Sequence, residues 1–164
     1  MKHALLATFL VLAWMPAAAQ TQVAAAGPGE SETTATATDG EPAGFAPLSA
    51  SEVDLDDFLW TKRPVVVFAN APADPRFRQQ MDFLEELWPE LAERDVVVIT
   101  DTDPEAESSV RRALRPRSFM LVIMDKDGSV ALRKPAPWDV REISRAIDKM
   151  PSRREEMRVL QPGR

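Results

Sequence analysis

The side chains able to do chemistry in this 164-residue chain are mainly carboxylates and guanidinium groups, because it has no cysteine and one histidine. Two apolar runs, which predict parallel strands, end near Asn70 and Asp101. Ligands of open α/β sheets bind beyond the carboxyl ends of such strands, beside the amino ends of the next helices. The residues predicted to gather there are Asn70, Asp74, Arg76, Asp101, Arg115 and Arg117. Arginines at such a place suit an anion, so this edge predicts a binding site for a small anionic ligand or an acidic peptide.

The lack of cysteine excludes several classes of chemistry. Thiol–disulfide exchange needs a thiolate, so thioredoxin, glutaredoxin and peroxiredoxin activities are excluded for this sequence. Four acids, Asp101, Asp103, Glu105 and Glu107, are of the type that binds calcium or magnesium. We favour another interpretation, in which the helix dipole stabilises acids at the first turn of a helix. We therefore expect no metal, no cofactor and no catalytic residue.

Charge is unevenly distributed along the chain. The formal net charge is −6, so the chain lacks the basic excess typical of nucleic-acid-binding proteins. Nucleic acid is therefore not an expected partner. Residues 51–110 carry 5 basic and 15 acidic side chains, whereas residues 111–164 carry 14 basic and 7 acidic ones. The arginines form two clusters, Arg111, Arg112, Arg115 and Arg117, and then Arg153, Arg154 and Arg158. Such clusters bind phosphate, sulfate or an acidic partner, or else they pair with the acids of the first half, which is the favoured alternative.

The amino-terminal residues have the pattern of an export signal. A short basic start precedes an apolar run over residues 4–14, then Pro16 and three alanines up to Ala19. We expect a signal peptide over residues 1–19. An uncleaved anchor is the less favoured alternative, because the run is shorter than the roughly 20 apolar residues that span a bilayer. The expected location is periplasmic or extracellular, without stable membrane insertion. Residues 20–50 are rich in Ala, Thr, Pro and Gly and predict a disordered linker.

Alternating apolar runs and amphipathic stretches predict one domain over residues 51–158, followed by a flexible tail over 159–164. Strands are predicted at 64–70, 95–101, 118–124 and 130–133, the last two joined by a turn at Asp127-Gly128. Helices are predicted after Asp74, Asp103 and Asp139, with a restart at Pro89 and a short turn after Pro151. Two strands joined by a crossover helix, then a hairpin and a helix, is the order of a thioredoxin-like α/β domain. We expect a central four-stranded mixed sheet flanked by helices.

Several short strings in this domain resemble a known family. They include Trp60, Arg63 and Pro64, the Asp74-Pro75-Arg76 turn, residues 94–98 and the Lys126-Asp127-Gly128 hairpin. The most specific is the ending, with Met150, Pro151, Arg153, Arg154, Glu156, Met157 and Arg158. Together they resemble the DUDES-type family, domain of unknown function 4174, which comprises small secreted bacterial proteins and modules of animal extracellular-matrix proteins. The resemblance implies a thioredoxin-like fold without an established activity.

The leading hypothesis for function is an exported, non-catalytic module that binds a protein partner or a small anionic ligand. One alternative is a cysteine-free enzyme that uses Asp and Arg residues at the strand ends, and another is a purely structural envelope component. At the carboxyl terminus, we expect Met157 to pack on the domain while Arg153, Arg154 and Arg158 pair with acids of the first half. The sequence does not predict an oligomeric state.

Overall fold

Runs of β-branched residues form the centre of the molecule. The computed structural model describes residues 44–160; the predicted signal, most of the linker and residues 161–164 lie outside this range. The strands are Leu48–Ser49 (β1), Arg63–Phe68 (β2), Val96–Asp101 (β3), Met120–Met124 (β4) and Val130–Lys134 (β5). The helices are a 3₁₀ turn at Leu55–Phe58, then Pro75–Glu86 (α1), Trp88–Ala92 (α2), Ser109–Leu114 (α3), Val140–Ile147 (α4) and Pro151–Leu160 (α5).

The five strands form one mixed sheet with the order β1-β3-β2-β4-β5. β2 and β3 are parallel, while β4 is antiparallel to β2 and β5 is antiparallel to β4. This strand order and its connections confirm the predicted thioredoxin-like α/β fold. The strand count differs, because the sheet has five strands rather than four.

The fifth strand is β1, which lies in the segment predicted to be linker. Its residues Leu48 and Ser49 pair with Ile99 and Thr100 of β3. The Thr100 hydroxyl donates to the Leu48 carbonyl, and the following Ala50 is buried. The prediction of disorder up to residue 50 is therefore wrong for residues 48–50. A two-residue strand is too short to produce the alternating pattern by which strands are predicted.

Both faces of the sheet are covered, which explains the continuous apolar runs in β2 to β4. One face buries Val65, Val67 and Ile123 under α1, α2 and α4. The other buries Val66, Phe68 and Val122 under α3 and the 3₁₀ turn. Adjacent residues of β2 thus enter separate cores, as the two-residue period of a strand requires.

Several helices follow the sequence predictions closely. Asp74 and Asp139 cap α1 and α4, each accepting a backbone N–H through its carboxylate. Pro89 marks the restart as α2. The exception is α3, which begins at Ser109 rather than after Asp103, because the Asp103 carboxylate accepts the Glu105 N–H within a local turn.

The last helix is longer than predicted. α5 runs for 10 residues to Leu160, so it extends two residues beyond the predicted domain end at residue 158. Among residues 44–160 no helix is long and apolar enough to cross a membrane.

The sheet has two ends that matter for function. We call the end where β2 and β3 finish, at Phe68 and Asp101, the carboxyl edge. We call the end where they start, at Arg63 and Val96, the amino edge. From the carboxyl edge the chain continues into the amino ends of α1 and α3, and the entry to β4 lies further along. The β4–β5 turn and α5 contact the amino edge.

Candidate functional site

The loop after β2 positions two of the predicted site residues against each other. Asp74 caps α1 by accepting the Arg76 backbone N–H at 2.9 Å, and its carboxylate pairs with the Arg76 guanidinium at 3.0 Å. Hydrogen bonds from Arg76 lower the pKa of Asp74. The same guanidinium lies 5.3 Å from the centre of the Phe119 ring, which ties the loop to the entry of β4. Asn70 is exposed at the start of this loop.

Asp101 lies in the interior of the carboxyl edge, because its side chain is only 3% exposed. One of its oxygens accepts from Arg111 Nη2 at 2.6 Å, and the other accepts from the Ser108 hydroxyl at 2.7 Å. Arg111 also donates to the Ala69 carbonyl and covers the Phe68 ring. This cluster fastens the ends of β2 and β3 to α3. The structure therefore does not bring Asp101 to the surface with the other predicted site residues.

Sequence reasoning missed Arg111 and Ser108 as the partners of Asp101. The Ser108 hydroxyl accepts the Arg111 backbone N–H at 3.0 Å, which is the normal N-cap bond. The spacing of a serine three residues before Arg111 was a usable signal. The cap-plus-proline pattern at Asp103-Pro104 is a stronger signal, and it led to a helix start being predicted there instead of at Ser109.

Three arginines lie at or just beyond the end of α3. Arg115 follows the helix with a left-handed backbone, φ 49°, and Arg117 lies two residues further along. Arg133 reaches across from β5 and donates to the carbonyl of Leu114 at 2.7 Å. We call Arg115, Arg117 and Arg133 the basic patch. Its three side chains are exposed, and none of them has a carboxylate partner within residues 44–160.

The amino edge holds a second cluster, which is built around a buried arginine. Arg63 is fully buried at the start of β2. Its guanidinium donates to the Arg94 carbonyl at 2.9 Å, to the Ser152 hydroxyl at 2.6 Å and to Glu156 Oε1 at 2.8 Å. Its Nε lies 3.4 Å from Asp125, which also accepts from the Ser152 hydroxyl. The cluster joins β2, the end of β4 and α5.

Lys126 extends this cluster toward solvent. Its ammonium lies 2.8 Å from Asp95 and 2.9 Å from Glu156. Partial burial alone would raise the pKa of Glu156, but hydrogen bonds from Arg63, Lys126 and Arg153 outweigh it and lower the pKa to about 2. Burial opposes the charged form of Lys126, yet its bonds to Asp95 and Glu156 raise its pKa.

The prediction for the carboxyl-terminal arginines is wrong in its partners. Arg153 contacts Asp148 and Glu156, and Arg158 contacts Glu155, all of which belong to the second half of the chain. Arg154 is exposed and Met157 is half-buried. Two ion pairs between the halves run from first-half arginines to second-half acids, Arg63 to Glu156 and Arg94 to Asp148. Two others run in the expected direction but use different cations, Lys126 with Asp95 and Arg111 with Asp101.

Carboxylates do not converge on a metal site in the described part of the chain. Within residues 44–160 no three His, Cys, Asp or Glu side chains are arranged to hold an ion. The acids at positions 101, 103, 105 and 107 are dispersed, because Asp101 is buried against Arg111 while Asp103 forms its local turn.

The sequence profile of one family, described as domain of unknown function (DUF4174), matches residues 54–156. The chain belongs to this family. Four of the residues that carried the resemblance, Arg63, Arg94, Lys126 and Glu156, meet in the cluster at the amino edge. A search among curated protein sequences found no match.

Solved structures with similar backbones include several peroxiredoxins. Thioredoxin peroxidase I of Plasmodium yoelii is 16% identical with a TM-score of 0.47, over 68% of this chain and 83% of that chain. Yeast mitochondrial 1-Cys peroxiredoxin is 13% identical with a TM-score of 0.47, over 64% and 96%. A thioredoxin-fold protein from Helicobacter pylori is 13% identical with a TM-score of 0.40, over 60% and 79%. This chain has no cysteine, so a peroxidase reaction through a thiol is excluded for it.

Proposed function

We propose that this DUF4174 chain is an exported, non-catalytic module that binds an acidic protein partner or a small anionic ligand at the basic patch. The observation that carries the proposal is the absence of any carboxylate partner for Arg115, Arg117 and Arg133 within residues 44–160. The other predicted arginine of the carboxyl edge, Arg76, is already paired with Asp74. An acidic protein that leaves three guanidinium groups unpaired at one place has a local charge opposite to its net charge.

Guanidinium groups recognise anions by geometry as well as by charge. Their planar fork donates two parallel hydrogen bonds to a carboxylate, phosphate or sulfate. The carboxyl end of α3 favours cations but supplies only about half an elementary charge, so it does not neutralise three arginines. The charge of the patch therefore remains available to a ligand.

The arrangement of the acids supports binding rather than catalysis. A general acid or base must lie within hydrogen-bond reach of its substrate. Asp101 is enclosed by Arg111 and Ser108, and Glu156 is held ionised by Arg63, Lys126 and Arg153. The alternative is a cysteine-free enzyme that uses Asp and Arg residues at the strand ends, and Asp103 and the paired Arg76 are among the exposed groups there.

Export is part of the same proposal and has its own support. The basic start, the apolar run and the alanines before residue 20 form a secretory signal pattern, and the proposed relatives of the DUDES type are secreted. Amino-terminal sequencing of the protein from an extracytoplasmic fraction should begin near Gln20. An intact Met1 in a soluble cytoplasmic fraction would overturn export.

The binding proposal is tested by following backbone amides while the mature chain is titrated with hexaglutamate or with inorganic phosphate. Shifts should concentrate at residues 114–119 and 133 and should weaken with added salt. The double variant Arg115→Gln, Arg117→Gln should bind about five- to thirtyfold more weakly, since each exposed pair contributes about 0.5–1 kcal/mol.

The matched control is Arg141→Gln with Arg154→Gln, which removes two exposed arginines from α4 and α5. Equal losses in both double variants would mean a general charge effect and would overturn the site. Shifts confined to Glu93, Lys126 and Asp127, at the opposite edge, would also overturn it.

A further inference from the structure

Strand β5 forms an open edge of the sheet next to the basic patch. It is the outermost strand in the order β1-β3-β2-β4-β5, so its one neighbour is β4. Within residues 44–160 no other segment pairs with its outer side. Such an edge presents a row of backbone N–H and C=O groups that can pair with another extended chain.

An apolar groove runs beside this edge, on the face of the sheet covered by α4. Its volume is about 320 Å³, and Ala131, Leu132, Trp138, Ala146 and Met150 supply its apolar wall. Glu142, Arg145 and Lys149 line its polar side, and the acid among them is already paired with Arg145. Lys134 lies with its ammonium 4.4 Å from the centre of the Trp138 ring. Apolar side chains of about the size of leucine or valine fit this groove.

The two faces of β5 differ in chemistry. Leu132 and Lys134 pair with Ile123 and Leu121, whose side chains belong to the core under α4. Arg133 pairs with Val122, whose side chain belongs to the opposite core, and it donates to the end of α3 beside Arg115. A strand added outside β5 therefore has an apolar groove on one face and the basic patch on the other. Because its side chains alternate between faces, its sequence must alternate as well.

We propose that a partner protein adds an extended segment to β5 as a sixth strand, and that acidic residues alternate with apolar ones in this segment. The acids face the basic patch, and the apolar side chains enter the groove beside Trp138. The inference rests on the proposed function and narrows its ligand to a protein segment. Backbone pairing supplies affinity, while the alternation supplies specificity.

Charge argues for an acidic partner over a second copy of this chain. Pairing of β5 with its own copy would bring Arg133 and Lys134 of both chains to one short ladder. Like charges at neighbouring positions of paired strands are destabilising, and basic residues on edge strands oppose pairing of identical edges. An added strand with acids on the basic-patch face instead meets Arg133 with opposite charge.

The test uses the mature chain and four seven-residue peptides with blocked ends. The first alternates glutamate with leucine or valine, and the second has the same composition with the acids grouped. The third and fourth are the alternating peptide N-methylated at every second residue, one in each frame. N-methylation removes ladder donors without changing charge. The alternating peptide should bind at least about tenfold more tightly than the grouped one, and one methylated frame should lose at least about tenfold. Slowed hydrogen exchange should appear at β5 amides.

Variants locate the contact. Ala131→Glu places a negative charge at an exposed groove position and should weaken the alternating peptide by at least about tenfold. Ala71→Glu, at an exposed position of the carboxyl-edge loop, is the matched control and should leave binding within about twofold.

The possible outcomes separate the two proposals. If the grouped and methylated peptides bind as well as the alternating one, while Arg115→Gln with Arg117→Gln still weakens all of them, strand addition is overturned and the basic patch survives. If no peptide binds but inorganic phosphate still shifts the amides of residues 114–119, strand addition is overturned and the basic patch survives as a small-anion site. If phosphate shifts none of them either, both proposals fail. If sedimentation shows a dimer and β5 amides are protected without peptide, the occupant is a second copy and the partner segment is overturned.

Discussion

Arg63 and Glu156 are 93 positions apart in the chain, and their side chains meet at 2.8 Å. Arg63 is the first residue of β2 and is fully buried, whereas the side chain of Glu156, in α5, is 26% exposed. The pair therefore fastens the last helix to the start of the central strand.

The first prediction concerns the buried member of this pair. Arg63→Met should destabilise the protein by about 3–5 kcal/mol, because it leaves the buried Asp125 without its cation, removes one of the cations that contact Glu156, and leaves Ser152 and the Arg94 carbonyl without a donor. Thermal unfolding should show a Tm at least about 10 °C lower. Arg145→Gln, which breaks an exposed pair with Glu142, is the control and should change the Tm by at most about 2 °C. A similar small change for both variants would contradict a stabilising cluster.

The second prediction concerns pH. The pKa of Glu156 is about 2 in the folded protein, whereas the ordinary pKa of a glutamate is 4.5, so the unfolded chain binds this proton first as the pH falls. The stability that the carboxylate contributes, about 3 kcal/mol, is thus present above pH 4.5 and is lost as the pH falls toward 2. Denaturant unfolding of Glu156→Gln should show a deficit near neutral pH that shrinks steadily below pH 4.5. A deficit of constant size from neutral to acid pH would rule out this explanation.

The fold was largely predictable because its signals are local. These signals are the β-branched runs, proline after an aspartate cap, and the Asp-Gly turn, each of which involves only a few residues. They correctly indicate β2 to β5, α1 and α4. The predictions fail where an element depends on contacts between residues that are distant in the chain. β1 is held by two bonds to Thr100, and α5 extends to Leu160 although Pro151 was predicted to precede only a short turn.

The candidate site was predicted in part for the same reason. The parallel strands correctly place Asp101 at the end of β3, but whether a side chain faces solvent depends on its neighbours in space. Arg111 closes over Asp101, so the acid is not exposed. Arg133 joins Arg115 only because β5 lies beside the end of α3, a pairing that no local pattern encodes.

The third prediction concerns the carboxyl-terminal helix. Deleting residues 152–164 removes Ser152 and Glu156 from Arg63 and one carboxylate from Lys126. The Tm should fall by at least about 5–10 °C, because a buried guanidinium then keeps fewer partners. Deleting residues 161–164 alone is the matched control and should leave the Tm within about 2 °C. Equal melting of the two truncated chains would mean that α5 contributes no stability to the domain.

The last prediction separates two adjacent serines at the start of α3. The Ser108 hydroxyl accepts the Arg111 N–H and donates to Asp101, whereas the Ser109 hydroxyl makes one long bond of 3.4 Å to the Val53 carbonyl. Ser108→Ala should therefore cost about 2 kcal/mol and lower the Tm by about 5–10 °C, while Ser109→Ala should cost about 0.5 kcal/mol. Ser108→Asp keeps a good helix cap but sets a second carboxylate against Asp101. It should fail to restore stability at neutral pH, and full rescue by this variant would show that capping alone, without the bond to Asp101, explains the role of Ser108.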